Sequence, residues 1–162
     1  MQSIMKKLIL IAAFMLAGFK AKAQEYRSME QFGLDTIAYL QYNFIDRRDQ
    51  YIGQKLEKLV YDYELFWHMS TIATYPFAPG ANGESYVLGI SVAYLYGIEM
   101  QAYRKKGIPY AYLHIYFFPP YMDNDVAREL MPDPDDDRAW ALRMGDLIIE
   151  RIELMEENTD KN

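Results

Sequence analysis

The chain contains no cysteine. That excludes disulfide staples, thiol nucleophiles, thiolate zinc sites and cysteine-ligated iron–sulfur clusters. It also excludes a lipid tether on a processed N-terminal cysteine. Histidine is nearly as scarce, with only His68 and His114, and the two do not form a paired helical zinc motif. There is no phosphate-binding loop and no dinucleotide fingerprint, so no cofactor is expected. No apolar run approaches the roughly 20 residues that a membrane-spanning helix needs.

The longest apolar stretch is residues 8–19, twelve residues broken only by Gly18. Lys6 and Lys7 precede it, and Ala21-Lys22-Ala23 follows in the small-x-small pattern of a signal-peptidase site. Residues 1–23 therefore read as a cleavable secretory signal peptide. The protein is expected to be exported, periplasmic or secreted, and to start at Gln24, whose amino group can cyclise to pyroglutamate. Removing 23 of 162 residues leaves 139. The removed segment carries four lysines and no acid, so 17 basic residues fall to 13 against 23 acids, a net charge near −10. Such a surface repels nucleic acid and anionic lipid, and neither is expected as a partner. No membrane insertion is expected once the signal is removed. The expected organisation is one domain over 24–155 and a polar tail over 156–162.

What the chain has in excess is tyrosine, 15 residues, with aromatics at 15% overall. Ser28 and Gln31 have capping-box spacing, and Asp35 is a second candidate cap. Ile37, Leu40 and Phe44 follow at helical spacing, with Ala38 and Ile45 beside them. After a polar break at 46–49, Ile52, Leu56, Leu59 and Val60 mark a second short helix. Leu65, Trp67 and Met69 alternate with polar residues as in a strand, although Phe66 interrupts the pattern. Pro76, Pro79, Gly80 and Asn82-Gly83 predict a loop or hairpin tip. Residues 86–96 and 108–118 alternate as strands, separated by a helix over 98–106 that ends on Gly107. Trp140, Met144, Ile148, Ile152 and Met155 fit one continuous helix. The alternative is a helix ending at Gly145, followed by a strand to about Leu154; Gly145 and the β-branched run favour the strand. The expected fold is α+β: two N-terminal helices, then a mixed or antiparallel sheet of about four strands with one or two short helices.

Asn43-Phe44, then Tyr51-Ile52-Gly53-Gln54-Lys55-Leu56-Glu57-Lys58-Leu59 and Asp62, resemble a pattern in small exported proteins of Gram-negative bacteria. There "NF" precedes "YIGK-x-(L/F)-x-x-L" and a strand. The segment 140–154, with its Trp, Gly-Asp turn and apolar run, is similar to their final portion. Gln54 and Lys55 depart from the expected Lys and Pro. The resemblance implies a bacterial periplasmic or secreted setting and an α+β fold, and it assigns no activity or catalytic residue. Physically, Gly53 permits a close turn between two helices, while Ile52, Leu56 and Leu59 anchor the second.

Asp133, Asp135 and Asp137 alternate as calcium ligands do, but Arg138 and Met144 stand where an EF-hand needs Gly and Glu. Capping of the Trp140 helix explains these acids better, and no metal site is expected. Gly89-Ile90-Ser91-Val92-Ala93 resembles a degenerate nucleophile elbow. An elbow needs an exposed serine at a strand-to-helix turn, whereas Ser91 falls mid-strand on a small-residue face. No catalytic residue is assigned. The candidate binding surface is the aromatic strand face Tyr110, Tyr112, His114 and Tyr116, joined by Tyr94, Tyr96, Tyr103 and Tyr121. Flat rings with polar tips suit sugar rings or a protein partner. The competing expectation is that helices cover this face. The expected function is a non-enzymatic binding or interaction module of the bacterial envelope that meets a glycan or an envelope protein. The alternatives are a small hydrolase of envelope polymers and an inhibitor or immunity-type protein with a basic partner.

Overall fold

The computed structural model describes residues 25–74, 85–131 and 136–157. The expected signal segment 1–23, the proline- and glycine-rich stretch 75–84, Asp133, Asp135 and the chain from 158 lie outside the described residues.

The fold is α+β, built on an antiparallel five-stranded sheet. Helix α1 (Thr36–Leu40) starts on Asp35, whose carboxylate accepts from the Ala38 amide at 2.8 Å, and runs on as a π turn through Gln41–Asp46. Helix α2 is Leu56–Asp62. Strand β1 (His68–Thr74) pairs with β2 (Tyr86–Ala93), and β2 pairs with β3 (Tyr110–Phe117) across helix α3 (Gly97–Lys106). Gly107 takes the left-handed φ of 67° that ends α3. A two-residue strand β4 (Met122–Asp123) meets the start of β2, and helix α4 (Asn124–Glu129) follows. Helix α5 (Asp137–Arg143) leads to β5 (Ile149–Glu157), which closes the sheet against β3.

The core lies on one sheet face. Ile90, Val92, Leu113 and Ile115 are fully buried there against Tyr39, Leu40 and Phe44 of the α1 region and Leu56, Leu59 and Val60 of α2. Trp140 and Ala141 of α5 complete that layer.

Several elements differ in extent from the expectation. Ser28 forms no side-chain cap, because Met29–Phe32 is a 3₁₀ turn rather than the start of an α-helix. The strand expected around residues 65–69 begins at His68, where ladder pairing to Ala93 starts. Beyond Gly145 the chain is strand, and it continues through Glu156 and Glu157, residues expected in the tail, because they pair with Ala111 and Tyr110. Strict alternation from Gly89 and Ser91 would place Val87 on their face, but it is fully buried in the core, where the β1–β2 register shifts by a bulge.

The segment from Asn43 to Asp62 joins the helices to the last strand. Asn43, fully buried, accepts from the Arg27 amide at 3.0 Å and donates to its carbonyl at 2.7 Å. Gly53 adopts φ 75°, and its amide donates to the Ile149 carbonyl at 2.8 Å, while Ile149 donates to Gln54 at 2.9 Å. This clip covers the outer edge of β5 where the strand begins.

Tyrosine hydroxyls converge on the end of α2. Tyr26 and Tyr39 donate to the Asp62 carbonyl at 2.7 and 3.2 Å, and Tyr51 donates to its carboxylate at 3.0 Å. Burial pushes the hydroxyl of Tyr63 above its ordinary value. Burial does the same for Tyr26, with the bonded Tyr39 adding to it, and for Tyr51, with the Asp62 charge adding to it. Unfolded tyrosines ionise near pH 10. Above that pH the folded state holds more protons than the unfolded state, so stability present below pH 10 is lost as pH rises through it. In an ultraviolet titration, a subset of tyrosines is expected to ionise only together with the loss of near-ultraviolet circular dichroism. Complete tyrosine ionisation with that signal intact would contradict this burial.

Candidate functional site: a trough on the outer sheet face

Period-two alternation sends the small residues of β2 to the face opposite the core. Gly89, Ser91 and Ala93 stand opposite Tyr116, His114 and Tyr112 of β3, and opposite Ile72, Ser70 and His68 of β1. Small residues between two larger rows make a trough. Helix α3 roofs one end of it. None of the residues of α3 is buried, so the helix stands off the sheet instead of sealing it. It is held at its C-terminal end: Tyr103 meets Tyr110 edge to face at 6.4 Å, and Arg104 donates to the Tyr110 hydroxyl at 3.1 Å. Arg104 also reaches Glu157 of β5 at 3.6 Å. The space left is a groove of about 490 Å³, with Ser70, Ser91, Tyr112 and His114 on its sheet side and Met100 and Arg104 on its helix side.

The aromatic strand face divides on this frame. Tyr112 and His114 are half-buried and line the groove, with rings 5.3 Å apart. Tyr110 has the same parity but is 1% exposed, because α3 lies over it; it forms the closed end rather than an open surface. Tyr116 lies outside the groove, beneath the Arg151 guanidinium at 3.7 Å. Tyr96 stacks on His68 with ring centres 3.6 Å apart, and both line the groove. Tyr94 packs toward the core, and Tyr121 is exposed outside the groove.

Partial burial holds the His114 imidazole below its ordinary value, against the pull of Glu153 and together with the push of Arg151. Its Nδ1 lies 3.4 Å from the Tyr116 hydroxyl. Burial, with Glu157 beside it, raises the Tyr112 hydroxyl. Both groups are therefore uncharged near neutrality, which suits hydrogen bonding to a neutral ligand.

A second groove, of about 590 Å³, adjoins the first. Phe66, Trp67, Glu64 and Asp136 line it, and His68, Tyr96 and Asp137 line both grooves. Sequence reasoning does not assign Phe66, Trp67, Met100 or Arg104 to a site. The one signal for the first two is the break in alternation that Phe66 makes beside Trp67.

Of the acids before the Trp140 helix that are described, Asp136 is the cap, and Asp137 ties the helix to the sheet. Asp136 accepts from the Ala139 amide at 2.8 Å, and Asp137 takes the Met69 amide of edge strand β1 at 2.8 Å. Among the described residues no group of three potential metal ligands converges, and no helix is long and apolar enough to cross a membrane. No protein-family model matches the chain, and no curated protein or solved structure matches it significantly.

Proposed function

We propose that the protein is an exported, non-enzymatic binding domain of the bacterial envelope, and that the trough between β1, β3 and α3 receives a neutral glycan. The observation that carries this reading is the helix α3 itself: ten residues with none buried, standing over half-buried Tyr112 and His114. A helix that contributes nothing to the core yet shapes a groove is placed for contact with something else. Ring faces provide flat apolar contact to a sugar, and Ser70, Ser91 and His114 provide hydrogen bonds at its edges. The signal-like N-terminus supports export, and two helical segments, 36–46 and Leu56–Asp62, support reading the N-terminal part as two helices packed on the sheet.

Isothermal titration of the purified protein against a panel of soluble envelope glycans tests the reading. Tyr112→Ala is expected to weaken the best glycan by about tenfold or more, as loss of a ring face that buries apolar sugar surface does. Tyr121→Ala, exposed outside the groove, is expected to leave affinity unchanged. Equal affinity of wild type and Tyr112→Ala for every glycan would overturn it.

A hydrolase is the second reading, and one observation favours it. Ser91, His114 and Glu153 stand opposite one another across β2, β3 and β5 on the trough face. A nucleophile, a base and an orienting acid need to be hydrogen-bonded in series. Here the hydrogen-bond contact of His114 is with Tyr116. Covalent labelling of Ser91 by a serine-directed phosphonate, abolished in His114→Ala, would favour the enzyme over the binding domain.

A further inference from the structure

We infer that the second groove binds an extended, basic segment of a partner protein. This site adjoins the proposed glycan trough but does not depend on it.

Three features of different kinds meet there. The first is exposed aromatic surface: Phe66 is 80% exposed and Tyr96 is 55% exposed. Isolated exposed aromatics are ordinary, but these two line one groove. The second is charge. Glu64, Asp136 and Asp137 line the same groove. Each spends one oxygen on a backbone amide, of Met29, Ala139 and Met69 respectively. Among the described residues none of the three is in an ion pair. Among those residues the one Lys or Arg side chain lining the groove is Arg138, whose guanidinium donates to the Val60 carbonyl at 2.8 Å. The groove thus carries three acids against one such base, beside open ring faces, which is the environment that favours a lysine or arginine side chain. The third feature is an unspent donor. Trp67 is 6% exposed and lines the groove, and its indole N–H has no acceptor among the described residues. A buried donor without a partner is costly, and a main-chain carbonyl laid along the groove supplies what it lacks once the ring, whose nitrogen is closed to solvent, tilts outward.

A cation alone would use the carboxylates and rings but not the indole. A neutral sugar would leave three carboxylates unneutralised. An extended basic peptide uses all three features, in the manner of aromatic-lined grooves that take proline-rich segments. The acidity of the whole chain steers such a partner toward the protein.

The test is fluorescence anisotropy with a labelled peptide of alternating proline and arginine, and a proline–glutamate peptide of equal length as control. The basic peptide is expected to bind, to weaken about tenfold or more from low to high salt, and to shift the Trp67 indole N–H resonance. Glu64→Gln with Asp136→Asn and Asp137→Asn keeps an acceptor oxygen for each backbone amide while removing the charge, and is expected to lose about tenfold or more in affinity. Phe66→Ala removes an exposed ring at little risk to the fold and is expected to weaken binding as well. Equal binding of the two peptides, or unchanged binding by both the triple variant and Phe66→Ala, would overturn the inference. Glycan affinity measured on Phe66→Ala, whose ring lines the second groove and not the trough, separates the two sites: failure of one leaves the other standing.

Discussion

Trp140→Ala is expected to remove about 3–5 kcal/mol of stability, the range for truncating a large buried aromatic. For a domain of ordinary stability, roughly 5–15 kcal/mol, that is a large share. Trp140 is 5% exposed, and its indole donates to the Ala127 carbonyl of α4 at 2.6 Å. Two other residues of the same helix tie it elsewhere: Arg138 to the Val60 carbonyl of α2, and Asp137 to the Met69 amide of β1. Helix α5 is thus fastened to α2, α4 and β1 at once. Trp140→Phe separates the two contributions. It keeps most of the apolar contact but strands the buried Ala127 carbonyl, and about 1–3 kcal/mol is expected to be lost. Urea denaturation of wild type and both variants checks the order. Since Asp136, Asp137 and Arg138 form a wall of the second groove, Trp140→Ala is also expected to weaken the basic peptide.

Gly89→Ala is the second large effect, and its sign is informative. An alanine in place of glycine within a strand ordinarily stabilises by about 0.5–1 kcal/mol. At Gly89 the added methyl would overlap the Ile115 carbonyl oxygen and press to 3.1 Å from the Ile115 carbonyl carbon and the Tyr116 Cα. All three are backbone atoms, so no side chain can swing aside. Strands β2 and β3 would have to separate at this pair, at an expected cost of about 3 kcal/mol. Ser91 and His114 are the next pair on the same face, so the trough floor moves with them. Gly97→Ala is the control: nothing lies within 4 Å of a Cβ there, and little change is expected. A Gly89→Ala protein as stable as wild type would show that β2 and β3 are not packed this closely.

The parts of the fold written in periodicity are legible in the sequence. Alternation marks β2 and β3, and Lys105-Lys106-Gly107 marks the end of α3. Gly145 and the β-branched residues after it point to a terminal strand. Features that depend on a distant partner are not legible. The extension of β5 to Glu157 rests on pairing with Tyr110, and the inward turn of Val87 rests on a bulge against β1. Helix α4 escapes a sequence reading because its six residues carry no helical apolar stripe; its cap, Asp123, accepts from the Asp125 and Val126 amides. The candidate site divides along the same line. Parity places Tyr110, Tyr112, His114 and Tyr116 on one face, but parity does not say what covers a face. Tyr103 and Arg104 cover Tyr110, Arg151 covers Tyr116, and the pair between them stays open.

The central claim is that the trough beneath α3 is a ligand site. Nitrogen–proton NMR shift mapping tests it most directly, with the purified protein titrated by the glycan that binds best. The expected result is a set of shifts confined to Ser70, Ser91, Tyr112 and His114 on the sheet and to Met100 and Arg104 on α3, absent in Tyr112→Ala. Shifts on the far side of the sheet, or spread evenly over the surface with the trough unmoved, would contradict it.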